Sequence, residues 1–396
     1  MKIDHIDVIN LRHRYPDGGG FRGAGGQCNA RVTSLVLVYT DGPHIGIGSA
    51  YSHPGLVHLI VKQQLEPMLV GRDAAEIEDI WDLMYGLTRW YGRKGAAVSA
   101  LGGIDTALWD LRGKAAGKPL YALWGGTRAS CPAYASGLLW GDVDELASEA
   151  EQHVTNGFRR MKMRLGRSEA YDVEAVTKVR AAIGPDNDLL VDASMRYDLD
   201  IACRMGKFLA EHNVFWLEEP FAPEEVELYA KLRDTVDVPV AAGENEFGVQ
   251  GFDELIRCGA VDIVQPDASR CGGISEVRRV AGHAAAAGVK VAPHTWSDAV
   301  ALVANAHVVA SIDNGLTVEM DRNGNPFIDE LLHEPLRVAD GELQLSKAPG
   351  LGIELDHGVI DQYRMADPMQ MPDGHYSDMI FGPQHLNPVG PYETMG

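Results

Sequence analysis

Three acidic residues recur at equal intervals in the middle of the chain, each at the end of a short apolar run. They are Asp192 in LLVDAS, Glu218 in WLEEP and Glu244 in AAGEN. A single acid in such a place is usually a helix cap or a solvated group. Three in register would repel one another without a cation, and carboxylate oxygens are the ligands that Mg²⁺ prefers. The pattern therefore predicts a magnesium site.

An acid and a histidine end the next two apolar runs. Asp267 lies in VQPDAS and His294 lies in VAPHTW. A carboxylate beside an imidazole orients the ring and sets its proton balance, which makes a neutral histidine a general base. A lone histidine is usually a satisfied polar residue, but this placement on adjacent strand ends predicts a catalytic pair.

Two cations and one further acid complete the set. Lys162 and Arg164 are two residues apart on one predicted strand, so both side chains point to the same side and suit an anionic substrate. Glu319, in TVEMD, is placed to donate a hydrogen bond to a developing enolate oxygen if its pKa is raised. The alternatives are a solvated basic strand end for the cations and a helix cap or salt bridge for the acid.

These side chains need a scaffold that brings strand ends together. From Cys131 onward, short apolar strands alternate with helices of roughly ten to fifteen residues. Eight parallel strands joined by helices form an α/β barrel, in which active sites lie at the carboxyl ends of the strands. The eight predicted strands are Ala133–Gly137, Arg160–Leu165, Leu189–Asp192, Val214–Glu218, Val240–Gly243, Ile263–Asp267, Val289–Pro293 and Leu316–Glu319.

The chain before the barrel has a different pattern. Strands are predicted at Ile3–Leu11 and Ser34–Tyr39, and helices over 56–91 and Val98–Ala116. The glycine-rich stretch Asp17–Gly26 opens no strand-to-helix turn, so it does not predict a phosphate-binding loop. We interpret it as a mobile loop over the site.

These motifs together resemble the enolase superfamily, and within it the mandelate racemase and muconate lactonizing enzyme family. The VDA, LEEP and GEN motifs resemble the family's metal triad, and QPDASRCGG and PHTW look like its His–Asp dyad. The run GIDTALWDLRGKAAGKPLYALWGG (Gly103–Gly126) is similar to the end of the family's capping domain. The resemblance extends to about residue 355.

The resemblance implies a modified (β/α)₇β barrel, residues 129–355, under an α+β capping domain. That domain comprises residues 1–128 with a contribution from 356–396. It also implies that Mg²⁺ binds the substrate carboxylate and that a base removes the neighbouring α-proton to give an enolate. Loops of the cap are then expected to choose the substrate.

Four residues are candidates for substrate binding. Arg22, Tyr51 and His53 lie on the predicted cap loops. Ser194 follows the first metal-triad acid, where many members of the family carry Asn. These residues are expected to contact the part of the substrate that distinguishes one acid from another.

Arg164 is a departure that bears on the reaction. It stands where the second lysine of the family's Lys-x-Lys motif acts as a base, and a guanidinium keeps its proton far above neutral pH. Racemisation needs a base on each face, so the arginine disfavours it. His294 alone can start an elimination. We therefore favour a dehydratase that converts a sugar acid to a 2-keto-3-deoxy acid.

Other functions stay open. The stretch around Glu319, VEMDRNGNPFIDELLHEPL, looks similar to galactarolactone cycloisomerase-like members of the family, which makes opening of an aldaric-acid lactone the first alternative. A racemase or epimerase of a hydroxy acid is a second. A non-catalytic sugar-acid binder is a third, but it would not need the acid–histidine pair. An enolase proper or another phosphate enzyme is disfavoured.

Charge and composition limit the partners. The formal net charge is −21 and the pI is about 5.0, so nucleic acid and anionic membranes are poor partners. Five widely spaced cysteines without a CxxC pair, and no apolar signal core, predict reduced thiols and a cytoplasmic protein. The expected partner is a small-molecule carboxylate, and the resemblance implies a homo-oligomer. Residues 375–396, rich in Pro and Gly, are predicted to form an irregular tail.

Overall fold

A long antiparallel sheet opens the chain in this computed structural model, which describes residues 1–16, 19–366, 375–376, 379–380 and 389–395. β4 pairs with β1 on one side and β5 on the other, and nine consecutive residues of β4 are buried. The hairpin β2–β3 occupies part of the predicted glycine-rich loop, of which Asp17 and Gly18 lie outside the described residues. The strands are β1 (Ile3–Arg14), β2 (Phe21–Gly23), β3 (Gly26–Cys28), β4 (Ala30–Thr40) and β5 (Ile45–Ala50).

Helices cover this sheet. Gly46 and Gly48 of β5 let helix α4 lie directly on the strand, because a Cβ at either position would come within 2.2 Å of a carbonyl oxygen of α4. The region 56–91 is helical over most of its length, as predicted, but it is divided, because Gly71, at a φ of +84°, lies in the turn between α2 and α3. The helices are α1 (Pro54–Ile60), which continues into a π-helical turn (Val61–Leu65), α2 (Glu66–Leu69), α3 (Ile77–Thr88), α4 (Ala96–Ala116) and α5 (Leu120–Leu123).

The predicted (β/α)₇β barrel is confirmed. In the fully described range 130–321, eight parallel strands alternate with seven helices, and β13 pairs with β6 to close the ring. The elements are β6 (Ser130–Ser136), α6 (Val143–Thr155), β7 (Arg160–Arg164), α7 (Glu169–Ile183), β8 (Asp188–Asp192), α8 (Leu199–Glu211), β9 (Val214–Glu218), α9 (Val226–Arg233), β10 (Val240–Ala242), α10 (Gly248–Arg257), β11 (Ile263–Val264), α11 (Ile274–Ala286), β12 (Lys290–Val291), α12 (Ala299–Val309) and β13 (Val318–Asp321).

Two strands end two or more residues earlier than the sequence predicts. β11 ends at Val264 and β12 ends at Val291, so Asp267 and His294 lie beyond the strands on the loops that follow. Pro266 and Pro293 explain the difference, because a proline has no N–H to donate to the neighbouring strand. The interior below these loops is filled by an apolar plug made of Tyr134, Leu190, Trp216, Ala241, Ile263 and Ala292.

Two fully buried aspartates join the cap to the barrel, and a third joins the cap to the segment that follows the barrel. Asp105 of α4 accepts hydrogen bonds from the backbone N and Oγ of Ser275 in α11, at 2.9 and 2.6 Å. Asp298, at the start of α12, accepts from Ser49 Oγ in β5 at 2.5 Å and from Thr33 Oγ1 in β4. Asp110 of α4 accepts from the backbone of β5 and of the segment that follows the barrel.

The chain after the barrel returns to the cap. α14 lies against β1, and Arg364 forms a β-bridge with Leu11. The last elements are α13 (Pro326–Asp329), β14 (Val338–Ala339), β15 (Glu342–Gln344), α14 (His357–Tyr363), β16 (His375–Tyr376) and β17 (Met379–Ile380). Half of the predicted irregular tail lies outside the described residues. Among the described residues, no helix combines the length and apolar character needed to cross a bilayer.

Candidate active site

The three predicted metal ligands meet at the carboxyl ends of neighbouring strands. Asp192 and Glu218 end β8 and β9, whose parallel register sets them side by side. Glu244 follows β10, the next strand around the ring. One carboxylate oxygen from each residue lies within 4.8 Å of the others.

The donor set of this cluster fits a hard divalent cation. Backbone N and Oγ of Ser194 donate to Oδ1 of Asp192, at 2.6 and 3.0 Å, and Nε1 of Trp216 donates to Oε2 of Glu218 at 3.0 Å. These bonds orient two carboxylates from behind, as outer partners of metal ligands do. Oε2 of Glu244 is buried and accepts no hydrogen bond, which is a costly state for an anion without a cation beside it.

Lys162 and Arg164 lie against the same carboxylates. Nζ of Lys162, fully buried, is 2.6 Å from Oε1 of Glu218 and 2.8 Å from Oε1 of Glu319. The guanidinium of Arg164 pairs with Asp192 and lies 3.7 Å from Glu319. Burial lowers the pKa of Arg164, but the surrounding carboxylates, Glu319 foremost, outweigh burial and raise it above its usual value. Arg164 therefore stays charged and suits an anion-binding role.

Glu319 does not have the raised pKa that the sequence analysis required of a hydrogen-bond donor. Burial raises its pKa, but the positive charges of Lys162, His294 and Arg164 outweigh burial and hold the pKa well below its usual range. In this arrangement Glu319 does not meet the condition set for a proton donor, and its role in the reaction stays a prediction. The ionised side chain instead accepts a hydrogen bond from the backbone N of Thr295 at 3.0 Å and holds Lys162 in place.

Asp267 and His294 form a buried pair. Oδ2 of Asp267 is 2.9 Å from Nδ1 of His294, and its Oδ1 accepts from the backbone N and Oγ of Ser269, both at 2.8 Å. Asn305 of α12 donates to the backbone oxygen of His294 at 3.1 Å and to Oδ1 of Asp267 at 3.3 Å. Burial lowers the pKa of His294, but Glu244 and the Asp267 hydrogen bond outweigh burial and raise it. The ring is therefore held rigidly and made more basic.

A cavity of about 380 Å³ opens onto these groups. Arg164, Asp192, Glu244 and His294 line its floor, and Tyr51 lines its wall with its ring nearly parallel to that of His294. Ser194 also lines the cavity. Loop residues of the cap between Phe21 and Gly26 form the roof.

Two of the predicted substrate contacts lie elsewhere. Arg22 is exposed and lines a separate outer groove with Trp140 and Arg167. Its neighbours in β2, Phe21 and Gly23, line the cavity instead. His53 accepts a hydrogen bond from the backbone N of Gly55 and caps α1, outside the lining of the cavity. The structure therefore does not place either with the other site residues.

Three further residues of the site were not predicted from the sequence. Trp296 lines the cavity, with the guanidinium of Arg164 5.1 Å from its ring centroid. Arg270 lines the cavity between the rings of Tyr51 and Phe247. Asn305, which holds the acid–histidine pair, had a usable signal, because it is an amide inside the otherwise apolar helix AVALVANAHVV.

Comparison with known proteins gives two family matches. Residues 145–359 match the model described as "Enolase C-terminal domain-like". Residues 23–125 match the model of the mandelate racemase / muconate lactonizing enzyme N-terminal domain.

Individual relatives align over most of the chain. D-galactarolactone cycloisomerase of Agrobacterium fabrum is 35% identical over 93% of this chain and 100% of the relative. Arabinonate dehydratase of Saccharolobus solfataricus is 33% identical over 84% and 90%. Among solved structures, a racemase from Streptomyces coelicolor A3(2) with bound magnesium superposes with a TM-score of 0.85 at 29% identity, over 92% of this chain and 100% of that one.

Proposed function

Because the chain belongs to the mandelate racemase / muconate lactonizing enzyme family of the enolase superfamily, we propose that it removes the proton beside a carboxylate of a sugar acid and eliminates the β-oxygen. The chain is an enzyme, a lyase or an isomerase, as its relatives are. The favoured reaction is dehydration of a sugar acid to a 2-keto-3-deoxy acid.

The position of His294 supports this proposal most directly. Its Nδ1 faces Asp267, and its Nε2 lies at the cavity floor, 3.7 Å from Oε2 of Glu244. A carboxylate has no proton to donate, so Nδ1 carries the proton, and in the neutral ring Nε2 keeps a free electron pair. A carboxylate substrate seated beside the acidic trio would therefore present its α-proton to a base that is already oriented.

The trio of Asp192, Glu218 and Glu244 would hold Mg²⁺. The bound ion would neutralise the substrate carboxylate and the negative charge that develops on it when the proton leaves. Arg164 and Lys162 add fixed positive charge at the same end of the cavity. The Phe21–Gly26 loop and the ring of Tyr51 line the same cavity and would limit the entry of water to it.

The elimination then needs only groups already present. The α C–H proton passes to Nε2 of His294, the C–O bond at the β-carbon breaks, and its electron pair leaves with the oxygen as a carbon–carbon double bond forms. The leaving oxygen takes a proton from the imidazolium of His294 or the ammonium of Lys162. The enol that remains becomes the 2-keto acid.

A lactone cycloisomerase is the second candidate, favoured by the relative from Agrobacterium fabrum, which matches along its full length. The same proton abstraction would expel the ring oxygen of a lactone instead of water. Epimerisation is disfavoured, because Arg164 stays protonated where a second base would be needed. A binder without activity would not need the Asp267–His294 pair. A homo-oligomer stays a prediction, for which light scattering is the test.

A proton-NMR screen of sugar acids, aldaric acids and their lactones with Mg²⁺ in D₂O tests the proposal. A 2-keto-3-deoxy product from a free acid supports dehydration, and deuterium-labelled ring opening supports the cycloisomerase. Chelation of Mg²⁺ should stop either reaction. Exchange or inversion without elimination would replace the proposal with the epimerase, and no reaction across the library would refute the sugar-acid assignment.

A further inference from the structure

The end of the chain is docked on the barrel beside the candidate site. Residues 389–395, here called the strap, lie against the turns that follow β7 and β8. The carbonyl oxygen of Glu393 accepts from the backbone N of Glu169 at 2.9 Å, and the backbone N of Met395 donates to Oε2 of Glu169 at 2.9 Å. Arg196 contacts the carbonyl oxygen of Gly390. The strap is therefore held on both sides of its only tyrosine, Tyr392.

Tyr392 reaches a carboxylate buried beneath both turns. Its hydroxyl donates to Oδ2 of Asp172 at 3.0 Å, and the same oxygen accepts from Tyr197 Oη at 2.8 Å and from the backbone N of Gly166 at 3.0 Å. Oδ1 accepts from the backbone N of Arg167 at 3.3 Å. Asp172 has no exposed surface. One carboxylate thus joins the strap to the turn after β7, through Gly166 and Arg167, and to the turn after β8, through Tyr197.

These two turns directly follow strands that end in site residues. Gly166 lies two positions after Arg164, and Ala193 directly follows Asp192. The turns touch, because a Cβ on Gly166, whose φ is +82°, would lie 2.7 Å from the carbonyl oxygen of Ala193. The backbone N of Leu165 donates to the carbonyl oxygen of Asp192 at 2.7 Å. A shift of the Gly166 turn would therefore move the backbone on which both side chains stand.

We propose that the strap is a positioning element of the site, with Tyr392 acting through Asp172 on Arg164 and Asp192. The effect on the substrate rests on the proposed function, but the effect on the two turns and on Mg²⁺ does not. Binding sites lose efficiency when their groups are displaced by about 0.5 Å. A single phenol at the chain end can therefore change the affinity of a site that it does not touch.

Tyr392→Phe tests the proposal, because it removes the hydroxyl and keeps the ring that packs edge-on to Tyr197. Tyr91→Phe, at an exposed tyrosine of the cap, is the matched control. Hydrogen exchange of the 165–168 amides should accelerate about tenfold in Tyr392→Phe, the order expected for loss of one hydrogen bond to a carboxylate. Mg²⁺ affinity by calorimetry and 1/KM for the screened substrate should fall by several-fold, with the control unchanged.

A double variant separates positioning from general support of the fold. In an Arg164→Met background, Tyr392→Phe should have a much smaller effect on KM, because the two residues act on one interaction. A lower melting temperature with unchanged exchange, Mg²⁺ affinity and KM would overturn the proposal, as would faster exchange with unchanged Mg²⁺ affinity and KM. If the wild-type enzyme turns over no sugar acid, the proposed function fails, while exchange and Mg²⁺ affinity still decide the role of the strap.

Discussion

Asp267 holds His294 by a hydrogen bond of 2.9 Å, and it does so from a loop that a proline has separated from its strand. Asn305 and Ser269 hold the aspartate in turn. The ring can therefore change its protonation state without changing its orientation. This is the property that a general base needs in every turnover.

Replacing His294 tests that role. His294→Asn should abolish exchange of the substrate α-proton, by a factor of at least about 10² as is usual for a general base. Mg²⁺ affinity should change little, because the three carboxylates are untouched. Proton NMR in D₂O measures the first quantity and calorimetry the second. Retained exchange would exclude His294 as the base and direct attention to Lys162.

Glu218 is expected to bind the metal. Glu218→Gln removes the negative charge nearest Lys162 and should weaken Mg²⁺ binding by at least about tenfold, since Mg²⁺ in proteins relies on one or two carboxylates. Glu246→Gln is the matched control. Its carboxylate is equally buried but turns away to pair with Lys94. Equal calorimetric affinities for the two variants would contradict the assignment of the ligand.

Arg164 separates the elimination from epimerisation. Arg164→Lys replaces the guanidinium, which cannot lose its proton, with an amine that can. We expect the variant to bind substrate less tightly, because it loses the several N–H donors of the guanidinium that lies beside Trp296. We also expect it to gain slow exchange from the opposite face of the α-carbon. NMR of the configuration and deuterium content at the α-carbon of the recovered substrate measures this. An unaltered KM would show that Arg164 does not contact the anion.

Asp105 predicts a pH dependence of stability. Burial raises its pKa to about 7, above the usual value of 3.8, despite the hydrogen bonds from Ser275. The folded state therefore holds a proton that the unfolded chain releases, so this group stabilises the fold fully below about pH 4 and progressively loses that contribution up to about pH 7. Asp105→Asn should remove this dependence of the unfolding free energy on pH. Its size is on the order of 1.4 kcal/mol for each unit by which the pKa is raised, or a few kcal/mol in total. Urea unfolding of both proteins between pH 4 and 8 measures it.

The barrel could be predicted because its strands end in residues that interrupt the apolar pattern. Val214–Glu218 was predicted with the bounds that the structure has, since an apolar run there meets two acids and a proline. Equal spacing of the acids then indicated that they share a face. The region 56–91 is mostly helical as predicted, but the turn between α2 and α3, in which Gly71 has a positive φ, was not predicted.

The walls of the cavity were harder to predict, because they come from segments that the barrel periodicity does not describe. Trp296 and Arg270 lie on loops, and their importance follows from the rings and guanidinium groups stacked on them. The loop around Arg22 lines the cavity through Phe21 and Gly23, but Arg22 itself does not, since alternate residues of a short hairpin face opposite sides. The contact of Tyr392 with Asp172 joins residues 220 positions apart, which no local pattern reveals.

Asp105, Asp110 and Asp298 lie fully buried where cap and barrel meet, each with donors from the other layer or from the segments that connect them. Separating the layers would remove the Ser275 donors from Asp105 and the Ser49 and Thr33 donors from Asp298, and a carboxylate that loses its donors carries a desolvation penalty. We therefore expect cap and barrel to unfold together, so that entry of a ligand depends on the short Phe21–Gly26 segment that lines the cavity.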